Sequence, residues 1–181
     1  MPITIVETVG SGSANSFVSV AEADAYLGAR LNSSAWTGTE PKKIALIEAT
    51  RELTRLVYQG YRTDDVQALA FPRTYCPNPD IPSITALTDT ADVYFADDEI
   101  PTRIKEAQIE LALEFLKAGT TDLAALDGTI GIVREKVGPL ETEFAQPYQR
   151  AQGLARFPRV LDLIAPLLDS TATSGLEVVR M

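Results

Sequence analysis

Apolar residues recur at spacings of three and four along several stretches of the chain, and at spacings of two along only one. That pattern predicts a mainly α protein, a compact bundle of about four helices with a small β-hairpin element and an extended C-terminal tail. Ser19-Val20-Ala21-Glu22 is a capping box and predicts a first helix reaching Arg30 or Leu31. A second helix has Pro41 in its first turn, a body from Lys42 to about Tyr58, and Gly60 as its stop. Leu46, Ala49, Leu53, Leu56 and Val57 share one face of it, and Glu48, Arg51, Glu52 and Arg55 share the other. The third helix starts at Pro101 or Thr102 and stops at Gly119. Its narrow stripe is polar (Arg103, Glu106, Glu110, Glu114, Lys117) and reads as solvated, while the apolar remainder predicts central burial or a face shared with another subunit. A last helix, about Pro158 to Leu168, is broken near Pro166. The period-two stretch spans residues 129–148 and predicts the hairpin.

Between these elements, Ile3 to Val9 reads as a short strand, and Gly10-Ser11-Gly12 as a turn rather than a phosphate cradle, since no third glycine follows. Residues 76–100 read as an acidic loop insertion: between Pro77 and Ile100 there are six acids and no Lys or Arg. Val93-Tyr94-Phe95 is a candidate short strand inside it, and Asp97-Asp98-Glu99 lacks the alternating oxygen ligands and glycine of a calcium loop. The predicted organisation is a single helical domain over 1–168 followed by a C-terminal docking tail over 169–181.

Charge and composition narrow the chemistry. The chain has 16 Lys plus Arg against 25 Asp plus Glu, a net charge of −9, no histidine and one cysteine. Histidine-based triads and His-ligated metal sites are excluded, and Cys76 alone cannot build an internal disulfide or a thiolate cage. No acid pair marks a catalytic site, so the expectation is a non-enzyme without metal or cofactor. No apolar run has the ~20 residues of a membrane helix, and the N-terminus does not read as a signal peptide, which predicts synthesis in the cytoplasm. The acidic balance also disfavours sequence-independent binding to nucleic acid, which needs a basic surface.

Asn15-Ser16-Phe17-Val18-Ser19-Val20-Ala21-Glu22-Ala23-Asp24-Ala25-Tyr26 resembles the opening of head-tail connector (adaptor) proteins of tailed bacteriophages. The resemblance continues through Trp36, Ala45-Leu46-Ile47-Glu48-Ala49-Thr50-Arg51, Gly60, Gln67-Ala68-Leu69-Ala70-Phe71-Pro72-Arg73, Ile100-Pro101, Ala107 and Glu110-Leu111-Ala112. Family members often carry Trp where this chain has Phe71, and a shorter loop before Ile100. The resemblance implies a virion protein of the neck, made in the host cytoplasm. Its copies would form a ring, typically dodecameric, that binds the portal, carries the next neck or tail component and lets DNA pass without specific binding. Candidate subunit and partner contacts are then Arg51, Arg55, Glu106, Glu110, Val160, Leu163, Leu167, Leu176, Val178, Val179 and Arg180. Some related sequences are labelled DnaT-like single-stranded DNA-binding, which sets the alternative. Its candidate stacking aromatics are Trp36, Tyr58, Tyr61 and Phe71, with Arg62 and Arg73 as cations.

Overall fold

A helix that is apolar over most of its circumference must sit at the centre of a fold, and α3, Thr102–Ala118, does so. In the computed structural model it packs between α2, Thr39–Thr54, and α4, Pro158–Ile164, with α1, Val20–Gly28, against its side. The described residues are 2–81, 93–123, 134–137, 140–143 and 153–169, with the segments 134–137 and 140–143 described by their backbone. They form a mainly α bundle of four helices with a small antiparallel hairpin, as the periodicity predicts.

Local signals fix the helix ends. At α1 the Ser19 hydroxyl accepts the Glu22 N–H at 3.1 Å, while the Glu22 carboxylate accepts the Ser19 N–H at 2.8 Å. Pro101 caps α3 from outside, and Gly119 ends it in the left-handed conformation at φ +69°. After Ile164 the Pro166 ring closes the α-helix, and Ala165–Leu167 continues as a 3₁₀ turn. The hairpin pairs β3, Arg134–Val137, with β4, Leu140–Glu143, in the register Arg134↔Glu143 to Val137↔Leu140.

Two boundaries differ from the periodicity. Helix α2 ends at Thr54 rather than near Tyr58, because the backbone at 57–59 finds partners in residues 167–169. The Asp169 N–H donates to the Val57 carbonyl at 3.1 Å, and the Gln59 N–H to the Leu167 carbonyl at 2.9 Å. Ile3 to Thr8 joins no sheet and Val9 enters a turn; Asn15 clips the segment through the Val6 N–H (2.8 Å) and the Thr4 carbonyl (2.9 Å).

One buried amide ties this N-terminal segment to the core. Gln108 accepts the Phe17 N–H at 3.0 Å, and its NH₂ donates to Ser16 Oγ at 2.7 Å and to the Leu46 carbonyl at 3.1 Å. Glu110 is buried as well, which corrects its place on a solvated stripe. It accepts the Tyr26 hydroxyl at 2.8 Å, pairs with Arg30 and lies 3.7 Å from Arg159, so its charge is compensated inside the subunit.

Candidate nucleic-acid interface

Beyond α2 the chain forms a short antiparallel ribbon of β1, Tyr61–Arg62, and β2, Arg73–Thr74. The crossing depends on Gly60, at φ +72°: a Cβ there would stand 2.4 Å from the Thr74 carbonyl oxygen and 2.8 Å from the Cys76 nitrogen. Tyr75, beside it, is also left-handed at φ +56°. For a bulky residue that conformation is strained, and such strain collects at functional sites. The 93–95 segment extends the ribbon, through Asn78 N–H to the Val93 carbonyl (2.8 Å) and Phe95 N–H to the Cys76 carbonyl (3.0 Å). The predicted strand at Val93-Tyr94-Phe95 is thus a single bridge, Pro77↔Tyr94.

Two arginines face each other across this ribbon, in the register Arg62↔Arg73. The half-buried Arg73 guanidinium donates to the carbonyls of Gln59 (2.8 Å), Gly60 (2.6 Å), Tyr58 (3.1 Å) and Ala70 (3.2 Å). Arg62, exposed, has one long bond to the Gln67 carbonyl at 3.5 Å. Neither pairs with a carboxylate among the described residues, whereas the cations of the helices do, for example Lys42 with Asp24, Arg51 with Glu48, Arg55 with Glu52 and Lys117 with Glu114. Burial lowers the pKa of Arg73, and the positive charge of Arg62 lowers it further. Cys76, buried beside it, has its thiol pushed up to about 11 by burial, with a smaller opposing pull from Arg73. The result is a pair of adjacent guanidinium groups without a carboxylate partner among the described residues, on a chain whose net charge is −9.

Tyrosines surround that charge. Tyr61 is 74% exposed, Tyr75 62% and Tyr94 40%. The rings of Tyr75 and Tyr94 meet edge to face, with centroids 5.7 Å apart. Of the aromatics expected as stacking platforms, only Tyr61 is on the surface. Tyr58 and Phe71 lie buried beneath the ribbon in an edge-to-face pair at 4.9 Å. Trp36 is buried elsewhere, donating to Asp24 Oδ1 at 2.6 Å. Tyr75 and Tyr94 were not legible as platforms. The signal that could have found Tyr75 is the strand-forming pair Thr74-Tyr75 directly after Arg73.

The remaining candidate contacts are scattered. Arg51 and Arg55 are exposed, and they pair with Glu48 and Glu52 three residues earlier. Glu106 is half-buried, and its charge adds to burial in raising the Tyr26 pKa. Val160 and Leu167 are core residues and Leu163 packs against the core, so the last helix faces inward rather than outward. Leu176, Val178, Val179 and Arg180 lie outside the described residues, with the rest of the tail beyond Asp169 and residues 82–92 of the acidic loop. Among the described residues, no group of three or more Cys, Asp or Glu is placed to hold a metal ion, and no helix is long and apolar enough to cross a membrane.

No curated protein and no solved structure matches the chain. One family model does, over residues 1–181, and it is described as "Putative DnaT-like ssDNA binding protein". This match corrects the expectation of a virion structural adaptor, because the family it points to is described as DnaT-like and not as a head-tail connector. By this match along its whole length, the chain belongs to the family "Putative DnaT-like ssDNA binding protein".

Proposed function

We propose that the chain binds single-stranded DNA on the ribbon of β1, β2 and the 93–95 segment. The observation that carries this reading is the facing pair Arg62 and Arg73, like charges without a carboxylate partner, bordered by the exposed rings of Tyr61 and Tyr75. Like charges directly opposite one another destabilise a ribbon, and an anion between them removes that penalty. Side chains alternate across a strand, so Tyr61 lies on the face opposite Arg62. A strand following the ribbon edge has the Tyr61 ring for a base on one side and the Arg62 guanidinium for its phosphate on the other. Stacking on an aromatic side chain is worth about 1–3 kcal/mol per base. The family description supports the same ligand.

Fluorescence anisotropy with a labelled oligo(dT) tests the reading. Arg62→Glu and the double variant Tyr61→Ala/Tyr75→Ala are expected to weaken binding about tenfold or more, while Arg51→Glu, on the α2 face, leaves it unchanged. Equal affinity in all four proteins would contradict it.

A further inference from the structure

We infer that the ribbon takes a short run of unpaired nucleotides, held more by stacking than by charge, and that the carboxylates around it turn duplex DNA away. This deepens the reading of the ribbon as a single-stranded DNA site and rests on it. The cationic contribution is small. Arg73 already donates to four backbone carbonyls, which leaves Arg62 as the exposed guanidinium of the pair. The aromatic contribution is larger, with three exposed tyrosines on one small ribbon. Around them Asp64, Asp65, Asp97, Asp98 and Glu99 are all exposed. The last three are tied to the ribbon where the Thr63 hydroxyl donates to the Asp97 carbonyl at 2.8 Å. A duplex carries about one phosphate charge per 1.7 Å of axis and keeps its bases stacked on each other. It therefore meets these carboxylates at full charge density and gains nothing from the tyrosines. An unpaired strand turns its bases onto the rings and keeps most of its phosphates in solvent.

Salt separates the two modes. A single strand that has two phosphates neutralised loses affinity with a slope of about −1.4, or about sevenfold between 50 and 200 mM salt, whereas six neutralised phosphates give about 300-fold. The test is anisotropy of the full chain with labelled dT4, dT12 and a 12-base-pair duplex across that salt range. The expected result is a loss of about sevenfold or less for both single strands, dT4 bound nearly as tightly as dT12, and the duplex bound far more weakly. The double variant Asp97→Asn/Asp98→Asn is expected to raise duplex affinity by a larger factor than dT4 affinity. A loss of 100-fold or more with salt, or a duplex bound as tightly as dT12, would overturn the inference and leave the single-stranded DNA reading standing. Binding to none of the three at 50 mM salt would overturn both.

Discussion

Arg62 and Arg73 stand directly opposite each other on an antiparallel ribbon with no carboxylate to separate them. The two are not equivalent. Arg73 holds the turn together, since its guanidinium gathers carbonyls from Tyr58, Gln59, Gly60 and Ala70. Arg62 has nothing comparable to do in the fold. Replacing Arg73 with Ala leaves those carbonyls without their donor and is expected to cost about 2–4 kcal/mol of stability. Arg62→Gln removes a like-charge contact and is expected to leave stability unchanged or to raise it by up to about 1 kcal/mol. Urea unfolding of the two variants distinguishes them.

Gly60 carries the crossing of the ribbon. Gly60→Ala places a methyl 2.4 Å from the Thr74 oxygen at a positive φ, so the penalty exceeds the ~1–2 kcal/mol of the left-handed conformation alone. Cys76 reports the outcome. Its thiol is buried and pushed up to about 11 in the native ribbon, so a thiol reagent at pH 8 is expected to label it slowly in the wild type and faster in Gly60→Ala.

Gln108 is the polar keystone of the core. Gln108→Leu removes the acceptor of the Phe17 N–H and one donor each to the Leu46 carbonyl and Ser16 Oγ, leaving the buried Phe17 N–H unpaired. The expected loss is about 1–3 kcal/mol, read by thermal or urea unfolding. Stability equal to the wild type would show that the N-terminal segment is held by its apolar contacts alone.

Acid weakens the start of α1. The Ser19 backbone N–H, with smaller help from the Ser19 hydroxyl and Lys105, holds the Glu22 carboxyl below its usual 4.5. The folded protein therefore binds that proton more weakly than the unfolded chain. The stabilisation is complete above the unfolded value and is lost as pH falls through the folded one. Glu22→Gln is expected to be less stable than the wild type at pH 7, with the difference closing as pH falls below the ordinary carboxyl value through the lowered folded one. Chemical denaturation at pH 7, 5 and 3 measures it.

Helix α3 was legible from both ends because Pro101 and Gly119 each restrict or free the backbone in a way that only one boundary satisfies. The capping box of α1 was equally plain. The end of α2 was not, since Leu56 and Val57 continue its period while their backbone partners come from residues 167–169. Glu110 misled for the same reason: charges four apart look solvated until Tyr26 and Arg30 arrive from another element. At the ribbon, the candidates Tyr61, Arg62 and Arg73 are brought together by the pairing of β1 with β2. Composition alone could not tell a core ring such as Phe71 from a surface one, and Tyr75 and Tyr94 became visible only through strand pairing.

The most direct test of the ribbon as a single-stranded DNA site is an amide chemical-shift titration of the ¹⁵N-labelled chain with oligo(dT). The expected perturbations cluster at Tyr61–Thr63, Arg73–Cys76 and Tyr94–Phe95 and leave the α2 face around Arg51 and Arg55 unmoved. Perturbations confined to other surfaces, or none at saturating oligonucleotide, would contradict the assignment.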